Sequence, residues 1–500
     1  MRKTKARHGV SKRRKTRPLY MISKIKIKNF KNIKETNITL LPGVNILVGP
    51  NASGKTSILE AMYFLYKALI DAAEKTPYRP HVPEYWSGLD LIHDKDPSKN
   101  IEIGITLNVY FSSNSEDDKW CHETIEGSVV FGYDTQRDTV LPIEYNFLIS
   151  NYLSLKININ FVEIMINKEF WEASGKPGLN SASSIIEKSN KVILTYNIEQ
   201  KRTTSVFLHP GVITSVYESD FRVVDHSIKK KDDNKSSYIV SLLRFPLLDV
   251  KIPVVLKPFT GCLEEAKGIP VSRDNMLLNF LLGRVDYLDP SLAILLLFDA
   301  IRKIVFLRHP DAGALREPRP FTGSNRLNPR AQNLAEVLLT LHGRLGRMPE
   351  RLEELISKAF PEFRVWVDSK FGRVVLMSEW RGIEMPPPNL PDGLIKTLAI
   401  GAAIELGPSL LLIDEIENSL HASLLEIIID ELNQLPVPVI AATHSPIPVD
   451  IVGPERTIVV LPERDGAVVE RIKDPARLRK SLAEHGITFS DYIYGVTGKD

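Results

Sequence analysis

The sequence is 500 residues long, with 43% hydrophobic and 25% charged residues, which is ordinary for a folded globular protein. This length predicts roughly two to four domains. No run of ~18 apolar residues appears and no apolar segment follows the basic N-terminus, so neither a membrane span nor a secretory signal is predicted. Two cysteines, Cys121 and Cys262, give neither a disulfide framework nor zinc spacing, and a cytoplasmic location is predicted. Scarce glutamine and cysteine beside abundant charge hint at a thermophile.

The chain has a formal net charge of +3, and its excess of basic residues lies at the N-terminus. Residues 1–20 carry nine Lys and Arg and no acid, so the rest of the chain is net acidic. Such a basic arm can bind nucleic acid. The alternative is a disordered tail or an upstream start, with Met21 as the true first residue, because a strand pattern begins there.

Hydrophobic periodicity gives the elements of the first half. Residues 21–28 alternate as a half-buried strand, and 44–48 form a second strand that ends at Gly49. A helical pattern starts at Thr56. Residues 71–100 have loop composition, and 101–260 are mostly strand-like.

In the second half, residues 275–307 are helical and end in a strand at 304–307. A helix is predicted at 333–360 and a hairpin at 363–380. From 390 onward the order is helix 394–406, buried strand 409–414, helix 419–435 and strand 437–442, with His444 next. No heptad pattern persists, so a long coiled coil is not expected.

The segment between the second strand and the first helix fits the pattern G-x4-G-K-[ST] of a phosphate-binding loop, or P-loop. Its glycines allow the backbone N–H groups to face phosphates, and the following helix adds its positive N-terminal end. Lys55 is predicted to reach the β and γ phosphates, and the Thr56 hydroxyl to bind magnesium. The predicted ATP-binding residues are Gly49, Pro50, Asn51, Ala52, Ser53, Gly54, Lys55, Thr56 and Ser57.

A second set of candidates follows the apolar strand Leu411–Ile413. Asp414 is predicted to hold magnesium, and Glu415 to act as the general base on the attacking water. His444 ends the next strand and should lie beside Glu415, because the carboxyl ends of parallel strands share one edge of the sheet. The catalytic candidates are Glu415, His444 and Lys55. A surface N-cap pair is the alternative for the two acids.

These residues resemble the ATPase heads of the SMC, RecF and OLD proteins of the ABC superfamily. Asn29–Ile33 together with the P-loop is similar to the start of such heads. Asp414–His421 resembles their Walker B motif and D-loop, and the D-loop residues are Glu417, Asn418 and Ser419. Thr443–Pro446 resembles their switch-histidine motif. The resemblance implies an α/β P-loop NTPase of the ABC type, with an antiparallel β subdomain, a mostly parallel sheet with flanking helices, and a β-rich insertion. The resemblance also implies a division of the chain. Residues 1–20 form a basic arm, 21–100 the N-terminal half of the head, 101–290 a β-rich insertion, 291–460 the C-terminal half of the head, and 461–500 a C-terminal cap.

In such families two heads enclose two ATP molecules, and a signature loop L-S-x-G of one copy caps the phosphate bound by the other. The resemblance assigns this role to Leu390, Pro391, Asp392 and Gly393, and so implies a homodimer through the ATP sites. Pro391 replaces the serine, which removes one hydrogen-bond donor. The glutamine that the family places between its two halves is also missing from residues 51–135, and Asp94 is the candidate substitute.

The chain lacks SMC coiled coils, and the ~55 residues after His444 are too few for an OLD nuclease domain. A stand-alone head of the broad AAA family ATPase group is therefore implied. Its members often act on DNA in repair or defence, and some act with a separately encoded nuclease. The alternative function is an ATP-bound scaffold with negligible turnover. A basic loop from Arg302 to Arg330 could contact DNA, or could instead brace the nucleotide site or form a surface ion-pair network.

Overall fold

A computed structural model of the chain describes residues 20–71, 87–112, 120–150, 153–158, 161–167, 184–188, 191–197, 204–206, 215–217, 228–230, 237–244, 250–256 and 290–497. The predicted basic arm therefore lies outside the described residues, apart from Tyr20.

Strands dominate the first half and return in the second. They are β1 (Tyr20–Phe30), β2 (Ile33–Thr39), β3 (Gly43–Val48), β4 (Ile101–Ser112), β5 (Trp120–Asp134), β6 (Thr139–Ile149), β7 (Leu153–Asn158), β8 (Phe161–Asn167), β9 (Ser184–Lys188), β10 (Lys191–Asn197), β11 (Thr204–Val206), β12 (Ser215–Tyr217), β13 (Ile228–Lys230), β14 (Ser237–Arg244), β15 (Val250–Leu256), β16 (Ile304–Leu307), β17 (Arg319–Pro320), β18 (Phe363–Lys370), β19 (Arg373–Trp380), β20 (Ile383–Met385), β21 (Leu410–Ile413), β22 (Pro438–Ala442), β23 (Thr457–Glu463) and β24 (Gly466–Arg471).

The α-helices of the described residues lie mostly after residue 290. They are α1 (Lys55–Tyr66), α2 (Pro290–Arg302), α3 (Ala312–Leu315), α4 (Leu334–Leu345), α5 (Glu350–Ala359), α6 (Asp392–Glu405), α7 (Ala422–Asn433), α8 (Pro446–Val452), α9 (Pro475–His485) and α10 (Phe489–Thr497). The single helix predicted at 333–360 is two helices, because Gly346 adopts a left-handed φ of 69° and ends α4.

The central sheet has the order β16-β21-β22-β3-β23-β24, and its strands are parallel except for β24 at the edge. It joins residues from both ends of the chain, since β3 precedes the P-loop while β21 and β22 come some 360 residues later. Neighbouring residues of its strands point to opposite faces. Leu410 and Leu412 enter one apolar core, whereas Leu411 and Ile413 enter the other.

The first core is closed by α1, α2 and a nine-stranded antiparallel sheet of order β2-β1-β4-β5-β6-β7-β8-β10-β9. Strands from both sides of residue 100 thus belong to one sheet. The second core is closed by a helical layer that includes α4, α6 and α7. Further strands form a five-stranded sheet (β12-β11-β15-β14-β13) and a small sheet that contains the predicted hairpin as β18 and β19.

This architecture confirms the predicted fold class, a P-loop NTPase of the ABC type with an antiparallel subdomain beside a mostly parallel sheet. The parallel strands place the chain ends that follow β3, β21 and β22 at one edge of the central sheet, where ligands of open α/β sheets bind. The P-loop, Asp414 and His444 follow those three strands. No helix among the described residues is long and apolar enough to cross a membrane.

Candidate functional site

The P-loop needs both of its glycines for steric reasons. A Cβ atom on Gly49 would lie 1.9 Å from the carbonyl oxygen of Val460, in the adjacent strand β23. Gly54 adopts a φ of +113°, and a Cβ atom there would lie 2.8 Å from the side-chain nitrogen of Asn32. Only glycine avoids these contacts, so the loop can turn tightly from β3 into α1.

Lys55 is largely buried at the start of α1, and its Nζ donates hydrogen bonds to the carbonyl oxygens of Gly49 and Pro50, both at 2.8 Å. Burial lowers the pKa of Lys55 to about 8, although the charges of Asp414 and Glu417 oppose this shift. The ammonium group is therefore held inside the loop by main-chain acceptors, where a negatively charged ligand would stabilise it.

Thr56 and Asp414 bring together the two distant parts of the sequence. The Thr56 hydroxyl donates to Oδ1 of Asp414 at 3.2 Å, across 358 residues of chain. The Asp414 N–H bonds the Leu307 carbonyl of β16, which fixes the backbone at the end of β21. Burial raises the pKa of Asp414. A half-buried carboxylate beside a hydroxyl is a suitable pair of oxygen ligands for a hard divalent cation.

Glu415 follows Asp414 with an exposed side chain and a φ of +50°, a left-handed conformation that is uncommon for a residue with a side chain. Its carboxylate accepts a hydrogen bond from the side-chain amide of Asn418. The predicted D-loop thus folds back on the predicted base. Such backbone conformations cluster at functional sites because the surrounding structure must hold them in place.

Glu417 contacts the switch-histidine segment directly. Its carboxylate accepts hydrogen bonds from the Thr443 hydroxyl at 2.8 Å and from the His444 backbone N–H at 2.7 Å. The sequence assigned Glu417 to the D-loop by resemblance only. The structure gives it a specific task, which is to fix the main chain that carries His444.

A cavity of about 300 Å³ lies over the P-loop, lined by residues 52–57 together with Lys31, Asn32 and His444. Its lining contains two lysines and no acid, which suits an anionic ligand such as the phosphates of ATP. Among the described residues no group of three His, Cys, Asp or Glu side chains could hold a metal ion by itself.

Several predicted residues do not line this cavity. Its lining does not include the first P-loop residues, Gly49 to Asn51, nor Asp414 and Glu415, although Asp414 accepts a hydrogen bond from the lining residue Thr56. The signature segment 390–393 also lies outside the cavity of its own subunit.

Lys31 and Asn32 were missed as site residues, although they fall inside the Asn29–Ile33 segment on which the resemblance was based. Lys31 also has a left-handed φ of 52°, which turns the chain between β1 and β2 over the P-loop. Asn32 donates to the Ala52 carbonyl at 3.3 Å. A basic residue in a tight turn next to a P-loop was the signal available in the sequence.

Glu60 of α1 forms ion pairs with two basic residues near the P-loop, Lys31 and Arg308. Its carboxylate is buried, with Lys31 on one side and Arg308 on the other. Arg308 directly follows β16, as Asp414 directly follows the neighbouring strand β21. The charge of Arg308 lowers the pKa of Asp414 against the larger effect of burial. Asp94, the candidate substitute for the missing glutamine, is exposed and ion-paired with Lys99 at 2.7 Å, and its role stays a prediction.

The signature segment caps helix α6. Pro391 is the N-cap residue and provides no side-chain hydrogen bond to the helix. Arg316 donates to the Leu390 carbonyl at 2.9 Å and to Asp392 at 2.8 Å, which ties the basic loop to this segment. A Cβ atom on Gly393 would lie 2.9 Å from the Ser419 carbonyl, so the segment packs directly against the D-loop.

The arginines of the basic loop mostly have partners inside the protein. Arg308 and Arg316 bond as described, Arg319 donates to the Ala314 carbonyl, and Arg326 bonds the Tyr66 hydroxyl. These contacts favour the bracing interpretation for the four residues.

Helix α6 contains a buried cation that the sequence analysis did not single out. Lys396 is 1% exposed, and its Nζ donates to the Glu415 carbonyl at 3.0 Å. Burial lowers its pKa to about 8, against the charges of Glu417, Glu415 and Asp414. The available signal was that Lys396 is the only charged residue between Asp392 and Glu405, in an otherwise apolar helix.

Comparison with protein families gives two matches. The model described as "AAA ATPase domain" matches residues 21–244, and the model described as "AAA domain, putative AbiEii toxin, Type IV TA system" matches residues 272–450. The first includes the P-loop, and the second includes the signature segment, Asp414, Glu415 and His444.

Among curated proteins, the DNA replication and repair protein RecF of Vibrio vulnificus (strain YJ016) is 57% identical over 44 residues, which cover 9% of this chain and 12% of that protein. RecF of Desulforamulus reducens is 43% identical over 54 residues, which cover 11% of this chain and 15% of that protein. These matches are short, so most of each relative is not aligned with this chain.

Among solved structures, an Smc head bound to the C-winged helix domain of ScpA is 12% identical, with a TM-score of 0.40, and the alignment covers 91% of this chain and 99% of that one. The SMC head domain from Thermotoga maritima is 10% identical, with a TM-score of 0.34 and the same coverage. At these scores the structural likeness carries no argument about function.

Proposed function

We propose that the chain, which matches two AAA-type ATPase family models and resembles RecF at the P-loop, is an SMC- and RecF-like ATPase of the ABC superfamily. It binds magnesium and ATP at Gly49–Ser57 and hydrolyses the nucleotide with Glu415 as the general base. We further propose that hydrolysis takes place between two copies of the chain, and that the dimer acts on DNA or with a DNA-processing partner.

One observation carries the hydrolysis proposal, the hydrogen bond between the Thr56 hydroxyl and Asp414. It joins the P-loop to the strand end that carries both acids, as magnesium-dependent phosphoryl transfer requires. Bound there, magnesium would neutralise charge that develops on the phosphates.

The remaining roles follow from position. Lys55 would exchange its main-chain acceptors for phosphate oxygens, since charge-assisted hydrogen bonds are stronger than neutral ones. Glu415 would release Asn418 and orient the attacking water. His444 would contact the γ phosphate or that water, held in place by Glu417.

The dimer proposal rests on the signature segment. Residues 390–393 do not line the cavity of their own subunit, yet they begin a helix whose free N–H groups suit a phosphate. A second copy would bring this helix end to the open side of the cavity. Because Pro391 offers no side-chain donor, such a dimer should be weaker than one with a serine at this position.

DNA is the proposed target for two reasons. The matched relatives are named as DNA replication and repair proteins, and the N-terminal arm is strongly basic. Of the basic loop, Arg302 and Arg330 are exposed and remain candidates for contact with the DNA backbone.

A second candidate function is an ATP-bound scaffold with negligible turnover. Two observations favour it, namely the missing donor at Pro391 and the hydrogen bond from Asn418 that occupies the carboxylate of Glu415.

The substitution Glu415→Gln tests the proposal. We expect purified wild-type protein to hydrolyse ATP with magnesium, and the variant to bind ATP normally while its turnover falls at least ~100-fold, as expected for a lost general base. The control is Glu426→Gln, which changes an exposed acid on α7. Equal turnover in wild type and Glu415→Gln would remove Glu415 from the mechanism. Tight ATP retention without phosphate release by wild type would favour the scaffold.

DNA binding requires its own experiment. Duplex DNA should be titrated against the full chain and against residues 21–500 over a salt series, and the arm should add to the steepness of the salt dependence. If neither protein binds at low salt, the DNA proposal fails while the ATPase proposal stands.

A further inference from the structure

Lys396 is a buried ammonium group in the second turn of α6, the helix that starts at the signature segment. It is 1% exposed, and the hydrogen bond that the structure gives it is donated by Nζ to the carbonyl oxygen of Glu415 at 3.0 Å. Burying a charge is unfavourable unless it has compensating partners. A methionine would fill the same space in this apolar core, so the retained charge calls for an explanation beyond packing.

The hydrogen bond from Lys396 is made to a residue, Glu415, whose backbone has an unfavourable conformation. Glu415 has a φ of +50°, and the same carbonyl accepts the Asn418 N–H at 3.1 Å. Together these two donors fix the peptide plane that follows Glu415. The orientation of this peptide helps to set where the carboxylate of Glu415 points, because the side chain and the carbonyl share one Cα atom.

A second contact joins the same two segments at the other end. Gly393, three residues before Lys396, packs so closely on the Ser419 carbonyl that a Cβ atom would lie 2.9 Å from it. Thr397 bonds back to the Gly393 carbonyl at 2.8 Å within the helix. Helix α6 therefore contacts both the start and the end of the segment 415–419. A small movement of the N-terminus of α6 would shift the backbone of this segment.

We propose that Lys396 is a positioning residue that couples the signature end of α6 to Glu415. In the proposed dimer, the signature end of a subunit meets the ATP bound by its partner, whereas Glu415 serves the ATP bound by its own P-loop. Capture of one nucleotide at the helix end is transmitted through Lys396 to the base of the other site. Hydrolysis is therefore cooperative in ATP. This inference rests on the proposed function, since it requires an ATPase dimer.

The first test compares Lys396→Met with wild type. The variant keeps the length and apolar volume of the side chain but removes the donor. We expect its kcat to fall about 10- to 100-fold, as for a slightly misplaced catalytic group. The Hill coefficient for ATP should drop from above 1 in wild type to 1, because the coupling between sites is lost. Lys358→Met, which removes an exposed lysine of α5, is the matched control and should behave as wild type.

A charge effect must be separated from a positioning effect, since Asp414, Glu415 and Glu417 all lie near Lys396. Lys396→Gln retains a donor without the charge. A positioning role predicts that this variant recovers part of both kcat and cooperativity relative to Lys396→Met. If the Gln and Met variants are equally defective, charge compensation explains the lysine and the proposal is overturned.

Hydrogen exchange of backbone amides gives a readout that does not depend on turnover. On addition of ATP, wild type should change its exchange rates at residues 49–57 and also at 414–419. Lys396→Met should keep the first change and show a clearly smaller second change, since Asp414 and Glu415 still face the ATP of their own subunit. The same ATP response at 414–419 in both proteins, or a wild-type Hill coefficient of 1, overturns the coupling. By contrast, wild type that binds ATP without hydrolysing it refutes the proposed ATPase, and the exchange data still decide the coupling.

Discussion

The two parts of the nucleotide site are built in different ways. The P-loop part, residues 49–57, is one continuous segment whose acceptors and donors are mainly its own backbone, as the bonds of Lys55 to Gly49 and Pro50 illustrate. The opposite part, residues 390–419, depends on contacts between separate segments. Among them are Lys396 with Glu415 and Gly393 with Ser419.

This difference has a consequence for how each part should respond to change. A site made by local backbone geometry binds its ligand as soon as the loop has formed, so binding should depend on few side chains. A site made by contacts between segments can be altered from a distance, because each contact is a place where movement of one segment reaches another. We therefore expect binding to depend on the P-loop part, and turnover and coupling to depend on the opposite part.

The largest effect should come from Lys55→Ala. Loss of charge-assisted hydrogen bonds to phosphate oxygens should weaken ATP binding by about 3 kcal/mol or more, which is ~100-fold or more in Kd. Because the pKa of Lys55 is about 8 without ligand, wild-type affinity should also fall as the pH rises above 8, where the lysine loses its charge before ATP binds. Titration calorimetry at several pH values would measure both effects.

In this comparison Lys358→Ala should match wild type at every pH, since that lysine is exposed on α5. An affinity for ATP that is unchanged by Lys55→Ala would contradict the claim that binding belongs to the P-loop part.

The same difference explains what could be predicted from the sequence. Gly49, Gly54 and Lys55 stand in one short pattern between a strand and a helix, so their geometry follows from local rules. Asp414 and His444 could also be placed, because parallel strands bring their carboxyl ends to one edge. Both steps use only chain order and periodicity.

The contacts of Lys31, Arg308 and Lys396 could not be predicted in this way. Each depends on which segments pack together in three dimensions, and a single sequence carries no such information. Arg308, for example, directly follows β16 and ion-pairs with Glu60 of α1, some 250 residues earlier in the chain.

The next effect concerns stability and involves Lys396→Met. Burial lowers the pKa of Lys396 from 10.5 to about 8, which corresponds to about 3 kcal/mol of unfavourable burial at neutral pH. The variant should therefore be more stable than wild type at pH 7, by about 1–3 kcal/mol, while it hydrolyses ATP more slowly. Urea unfolding followed by circular dichroism would test this.

The stability difference between Lys396→Met and wild type should depend on pH. Between pH 8 and 10.5 the unfolded chain holds the proton that the folded chain has lost, so wild-type stability gains from this group as the pH rises. The advantage of Lys396→Met should shrink across that interval. A variant that is less stable than wild type at pH 7 would mean that the lysine stabilises the fold, against the functional role proposed for it.

A smaller effect is expected from Glu417→Ala. The substitution removes the acceptor of the Thr443 hydroxyl and of the His444 N–H, so the main chain that carries His444 loses its support. We expect kcat to fall about 10- to 50-fold, with Kd for ATP changed less than threefold. Single-turnover kinetics beside equilibrium binding would separate the two quantities.

Glu417→Gln is the informative companion to this variant. Its amide can accept the His444 N–H and donate to the Thr443 hydroxyl, so it should retain most of the activity if geometry is what matters. Equal losses in the Ala and Gln variants would instead point to the negative charge of Glu417.

The smallest effect, and the one in the opposite direction, should come from Pro391→Ser. The proline is the N-cap of α6 and gives the helix no side-chain hydrogen bond, so a serine adds one hydroxyl that can face a phosphate of the partner's ATP. One charge-assisted hydrogen bond of about 1.5 kcal/mol would strengthen each of the two nucleotide contacts of the dimer roughly 10-fold. Pro391→Ala removes the ring without adding a hydroxyl and should not strengthen it. Sedimentation of both variants in the Glu415→Gln background would hold ATP in place during the measurement. If Ser and Ala act alike, residues 390–393 do not contact nucleotide across a dimer, and the opposite part of the site would then serve its own subunit alone.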